Sequence, residues 1–254
     1  MTCIAVSALS HIGPNVMLTA ATQPPGPVRS GPGTTVRVHP GPGRGLVQMF
    51  RNRAGGAAAR RRQRPRREEF PVATALLVLD MLTDFTSGKL ANPAAGQIIE
   101  PIAALTQAAR ERDDWLVVYG NDAHRPGDFE LAVFGEHAMA GSPGAAVIDQ
   151  LAPQPGDVIV PKRYYSAFTQ TDLDATCRVH GISRLVVTGQ HTDCCCRHTS
   201  YDAFARGIKV IAVSDATAVY EPFAAGRYQQ AQDDALHYLR TYYGAEVTST
   251  AALV

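Results

Sequence analysis

The sequence contains no uninterrupted apolar run of the 18 or so residues that a membrane-spanning helix requires. No basic residue precedes the short apolar stretch Cys3–Leu9, so the opening segment does not match a secretory leader. The first 70 residues have no lysine and only two acids, Glu68 and Glu69, against 11 arginines, a formal +9. Residues 71–254 reverse the balance, with 13 Lys+Arg against 21 Asp+Glu, a formal −8. The overall charge of +1 therefore hides two parts with opposite character.

Residues 1–70 also lack periodicity. Eight of the 17 prolines fall there, and glycine and proline alternate from Pro24 to Gly45, which suits neither a helix nor a strand. Residues 1–69 read as a disordered Gly/Pro/Arg-rich arm, and 70–254 as the folded domain. A translation start at Met49 or later is a second reading of the arm. Its arginine-rich, acid-poor composition would suit a transit peptide, but the Pro/Gly density opposes an amphipathic helix. No aromatic interleaves with Arg60–Arg67 and no recognition fold surrounds it, so nucleic acid is not expected as a partner. Five cysteines, an odd number, without a secretory signal point to free thiols and a reducing cytoplasm.

From Val72 onward, apolar β-branched runs alternate with stretches of helical spacing such as Ile98, Ile102, Leu105 and Ala109. That alternation predicts βαβ units. The fold class is α/β, a Rossmann-like doubly wound, mostly parallel sheet of about six strands flanked by helices. Further helices are expected over Leu173–His180 and Ala224–Tyr242, and a last strand over Ala245–Thr248.

The densest chemistry lies in Cys194-Cys195-Cys196, where the apolar run Leu185–Val187 passes through Gly189 into a helical segment. A thiol in the first turn of a helix faces unpaired N–H groups and the positive end of the dipole. This favours thiolate and can lower a thiol pKa from about 8.5 to roughly 3.5–7.5. Three other readings compete. Neighbouring residues cannot close a metal tetrahedron well, and adjacent thiols suit disulfides poorly. Small buried hydrophobes remain an ordinary role for cysteine.

Open parallel sheets form their sites beyond the carboxyl ends of the strands. Asp80, Asp122, Lys162, the cysteine turn and Asp215 all follow predicted strands, so five strands are expected to bring ionisable groups to one edge. A thiol, a carboxylate within reach of its proton and a lysine that stabilises nearby charge would make a nucleophile, a base and an electrostatic partner. Asp122 and His124 with His137 downstream form a second cluster, a donor set suited to zinc or another divalent metal.

Ala75–Phe85, Pro161–Phe168 and the cysteine turn resemble the three signature segments of the isochorismatase-like cysteine hydrolases, the superfamily of nicotinamidases. They occur in the same order, and the likeness covers roughly residues 70–250. It implies the isochorismatase-like hydrolase fold, with Asp80 as base, Lys162 as second triad member and Cys195 as nucleophile. The family's cysteine stands six residues after the strand-ending glycine, which selects Cys195; Cys194 would point aside. Cys196 would begin a core stripe with Thr199, Ala203 and Gly207. The likeness further implies a non-proline cis peptide at Gln190–His191, with the N–H groups of His191 and Cys195 as an oxyanion hole. The motif aromatics Phe85, Tyr164 and Phe168 would bind substrate. The Asp122, His124, His137 cluster resembles the metal site of nicotinamidases. It departs from it in Ala123, where those enzymes carry an aromatic, and in Ala138. No organic cofactor is implied.

The expected activity is cleavage of a C–N amide bond through a thioester. The arm's composition suggests a high-GC coding sequence, and the chain looks similar to the streptothricin hydrolases of actinomycetes. Opening of a lactam in a cationic antibiotic is therefore the first substrate expectation, and an acidic domain is compatible with a cationic substrate. Hydrolysis of nicotinamide or another small primary amide is the alternative. A non-enzymatic interaction module with a nucleic-acid-binding arm is a distant third. A small-molecule partner, no membrane and a homo-oligomer complete the expectations.

Overall fold

The computed structural model describes residues 73–254. The reading of residues 1–69 as a disordered arm lies outside the described residues.

Six strands form one sheet: β1 (Ala73–Leu79), β2 (Trp115–Asp122), β3 (Val158–Lys162), β4 (Ile182–Gln190), β5 (Lys209–Ala218) and β6 (Glu246–Thr248). They lie in the order β3-β2-β1-β4-β5-β6, and every neighbouring pair is parallel. A parallel sheet covered on both faces needs strands that are apolar on both sides. β1 meets this requirement. Ala75, Leu77 and Leu79 enter one core cluster, while Leu76 and Val78 enter the other.

The helix α2 (Ala95–Arg110), which follows the short α1 (Thr83–Thr86), covers the second of these clusters with Ile98, Ile102, Leu105 and Ala109. This is the face predicted from their spacing. After the short α3 (Leu131–Phe134), the opposite sheet face receives α4 (Leu173–Val179), α5 (Arg197–Ala205) and α6 (Tyr228–Tyr243). Leu173, Cys177, Ala203, Leu236 and Leu239 carry that contact. No helix among the described residues is long and apolar enough to cross a membrane.

Three expectations change. The helix predicted from Ala224 begins at Tyr228, because Glu221–Ala224 forms a separate 3-10 turn and Ala225 (φ 51°) and Gly226 (φ 77°) break the chain direction. Asp215 does not reach the site edge. β5 continues to Ala218, so Asp215 sits within the strand and its Oδ1 accepts from Thr250 N and Oγ1. Four strands, not five, deliver ionisable groups to one place. Gly207 is exposed and ends α5 at φ 74°, so the core stripe stops at Ala203.

Strand order reverses on either side of β1, and β1 and β4 flank that switch point. Crevices for ligands open there in doubly wound sheets. Asp80 leaves β1 and the cysteine turn leaves β4 at this position.

Candidate functional site

The two chain segments that enter the crevice are held close together. Gly189, near the end of β4, has φ 96°, and a Cβ there would lie 2.0 Å from Leu79 O. Only glycine lets the two strands approach in this way. The following peptide, Gln190–His191, is cis. The buried Gln190 side chain donates through Nε2 to Asp80 O (3.1 Å) and Phe85 O (3.3 Å). Its Oε1 accepts from Asn92 Nδ2 (3.0 Å), which also donates to Val219 O (3.0 Å). One amide pair thus joins the loops after β1, β4 and β5. Thr192–Cys196 then forms a π-helical turn that runs into α5. Such irregular turns commonly mark functional positions.

Asp80, itself in the left-handed region (φ 52°), is 1% exposed, and its Oδ1 accepts from Asp122 N at 2.8 Å. Its Oδ2 pairs with Lys162 Nζ at 2.8 Å. Lys162, also 1% exposed, donates to Asp122 Oδ1 at 2.5 Å and to Cys195 Sγ at 3.5 Å. A carboxylate oxygen of Asp80, one of Asp122 and Cys195 Sγ all lie within 4.8 Å of one another. The structure therefore brings Asp80, Lys162 and Cys195 together.

Charge in this buried cluster is shared unevenly. Burial and the neighbouring Asp122 raise Asp80 to about 7, against the pull of Lys162. For Asp122, burial would also raise the pKa, but Lys162 and His124 outweigh it and the carboxyl is held low. For Lys162, the carboxylates overcome the burial penalty and hold the ammonium well above its usual range. The thiols Cys194 and Cys195 titrate as a pair. A hydrogen bond from Cys195 lowers Cys194 to about 6, with His198 helping against burial. Cys195 is pushed up by donating to Cys194 and by burial. Cys196 is fully buried in the core and is also pushed up.

Beside the thiol lies a second cluster of Asp122, His124, Glu130 and His137. His124 Nε2 is 3.6 Å from Asp122 Oδ2 and 4.0 Å from Glu130 Oε1, and His137 Nε2 is 3.8 Å from Glu130 Oε1. Both Nε2 atoms are buried without a hydrogen-bond partner. Each ring is oriented from its other nitrogen, His124 Nδ1 by Asp128 (3.3 Å) and His137 Nδ1 by Gly135 O (2.8 Å). Arg163 grips Asp128 in turn and holds its carboxyl well below the usual range. Ligating histidines are typically held this way. The four donors could hold a divalent cation.

A cavity of about 200 Å3 opens over Cys195, lined in part by Asp80, Phe85, Glu130, Phe134, His191 and Cys194.

The Isochorismatase domain family matches residues 74–252. The chain belongs to the isochorismatase family. Ureidoacrylate amidohydrolase RutB of Methylorubrum extorquens (strain DSM 6343 / CIP 106787 / DM4) is 31% identical over 199 residues, 68% of this chain and 78% of that protein. RutB of Stutzerimonas stutzeri (strain A1501) is 40% identical over 99 residues, which span only 39% of this chain and 38% of that protein. Among solved structures, N-carbamoylsarcosine amidase from Thermoplasma acidophilum is 36% identical with a TM-score of 0.63, covering 70% of this chain and 96% of that one. Nicotinamidase PncA from Bacillus subtilis is 30% identical with a TM-score of 0.63, covering 70% and 100%. The relatives of this isochorismatase-family chain include maleamate amidohydrolase of Pseudomonas putida, 31% identical over 150 residues, 56% of this chain and 70% of that protein.

Of the aromatics expected to bind substrate in this isochorismatase-family chain, only Phe85 lines the cavity. Phe168 is buried in the core beside Ala167 and Leu173, with the Arg206 guanidinium 4.6 Å above its ring. Tyr164 is 40% exposed and does not line the cavity. The reason is local. After Lys162 the chain turns away from the strand edge, and the small residues Ser166 and Ala167 pack against α5. Cys194, expected to point aside, lines the cavity next to Cys195. Sequence reasoning missed Glu130, Phe134, Tyr220 and Phe223. Glu130 and Phe134 cap and end the one-turn α3, and the other two sit at the 3-10 turn after β5, elements too short for periodicity to announce a direction.

Proposed function

We propose that the protein hydrolyses a small amide through a Cys195 thioester, with Asp80 as base and Lys162 as its electrostatic partner. The observation that carries this reading is the meeting of Cys195 Sγ with Lys162 Nζ at 3.5 Å and an Asp80 carboxylate oxygen within 4.8 Å, at the floor of a cavity. Asp80 takes the Cys195 proton, and the thiolate attacks the amide carbonyl carbon. Negative charge moves to the carbonyl oxygen, where the N–H groups of His191 and Cys195 donate; one such donor is worth roughly 3–4 kcal/mol. The C–N bond breaks, and the leaving nitrogen collects the proton from Asp80. Water then gives its proton to Asp80 and adds to the thioester. The acid leaves, and the departing thiolate recovers that proton. Lys162 keeps its charge throughout and stabilises Asp80 and the thiolate in turn.

Asp122, His124, Glu130 and His137 would hold a divalent metal, zinc being suited to this donor set. When bound, such an ion would polarise and orient a substrate atom near Cys195. The two unpartnered Nε2 atoms support this assignment.

Substrate size favours a small primary amide of the nicotinamide kind. The cavity of about 200 Å3 is below the roughly 300–1,000 Å3 typical of pockets for drug-sized ligands. A streptothricin-type lactam is the second reading, favoured by the acidic balance of residues 71–254, with only its lactam end entering. Mass spectrometry separates the two: primary amide cleavage releases ammonia, whereas lactam opening adds one water and releases nothing. Turnover that persists in Cys195→Ala would overturn the nucleophile assignment.

A further inference from the structure

Six aromatic side chains around the cavity close into a ring. Ring centroids run Phe85–His137 5.4 Å, His137–Phe134 6.1 Å and Phe134–Phe223 6.1 Å. They continue Phe223–Tyr220 4.8 Å, Tyr220–His191 4.9 Å and His191–Phe85 5.7 Å, back to the start. All six line the cavity over Cys195. Phe223 is 70% exposed and lines the cavity, which places it at the rim.

The ionisable side chains lining the same cavity, apart from the two histidines, two thiols and Tyr220, are the acids Asp80, Asp122, Glu130 and Asp193. Among the described residues no lysine or arginine lines it, and Lys162 is engaged beneath by Asp80 and Asp122. At the rim, away from the proposed metal ligands, a substrate carboxylate would meet Asp193 and no cationic side chain among the described residues. A positive group would find the phenylalanine and tyrosine rings of the collar, a residue type that attracts cations, and Asp193 at the exposed rim.

We infer that the aromatic collar selects an amide whose non-reacting end is cationic, an organic ammonium or pyridinium. This rests on the amidohydrolase reading of the same cavity and names its substrate class. Phe223 is the specificity-determining residue at the rim.

The test compares three amides of one shape and different charge: 1-methylnicotinamide (positive), 3-methylbenzamide (neutral) and 3-carbamoylbenzoate (negative). Dissociation constants are measured by calorimetry on full-length Cys195→Ala, which cannot form the thioester. The cation binds about ten-fold tighter than its neutral isostere, and the anion binds weakest. In Cys195→Ala/Phe223→Leu, the cation-to-neutral ratio falls at least three-fold. Circular dichroism checks that this exposed-site variant is folded, and Phe223→Tyr keeps the ratio. A cation that binds no tighter than the neutral amide, or a ratio that falls less than three-fold in Phe223→Leu, overturns the inference. Nicotinamide turnover by the unaltered protein is read separately. Its loss in Cys195→Ala supports the amidohydrolase reading whichever way the charge series falls.

Discussion

Lys162 holds three partners at once, two carboxylates and a thiol, while almost wholly buried. A buried ion network of this kind contributes little net stability, but removing one member leaves uncompensated charge. Lys162→Met is therefore expected to abolish amide hydrolysis and to destabilise the fold by about 3–5 kcal/mol, read from chemical denaturation. The same network sets the pH response. Asp80 acts as base only when deprotonated, and its pKa is raised to about 7. The value of kcat/KM should accordingly fall as pH drops below about 7, and a profile flat from pH 5 to 7 would remove Asp80 from the role of base. Cys195 itself stood out in the sequence because family spacing selected one thiol of three. The proximity of Cys194 to the cavity did not stand out, because the irregular π turn alters the directions in which successive residues point.

The β1 and β4 ends depend on a glycine and an amide pair rather than on apolar packing. Gly189→Ala would place a Cβ against Leu79 O in a positive-φ position, and it should cost at least about 3 kcal/mol or prevent soluble expression. Asn92→Ala leaves Gln190 Oε1 without its donor and Val219 O without a partner. A loss of roughly 1–3 kcal/mol is expected, with a larger fall in activity than a distant surface change produces. In the proposed metal cluster, the donors come from the end of β2 and the segment beyond it. His137→Ala, assayed by elemental analysis after incubation with zinc and gel filtration, should retain less than one tenth of the metal held by the unaltered protein. Strand and long-helix positions were legible because burial on two faces or one stripe imposes a period. Glu130, Phe134 and Phe223 were not, because their positions depend on how separate loops converge.

At the scale of the whole molecule, the charge division at about residue 70 separates an arginine-rich segment from an acidic domain. All proposed site residues lie within residues 74–252, the part matched by the family. Deletion of residues 1–69 should therefore change kcat/KM for a small amide by less than about two-fold. Any salt-sensitive DNA retention of the full chain should disappear in the same variant.

The sequence by itself determined the α/β class, the parallel order of alternating elements, and the candidate trio Asp80, Lys162 and Cys195. Repeating periods and short motifs carry that information locally. Only the tertiary structure decided that Asp215 stays in its strand, that Phe168 enters the core, and that six aromatics from distant segments close over the thiol. Those outcomes depend on strand length, loop path and packing between residues far apart in the chain, and no local pattern encodes them.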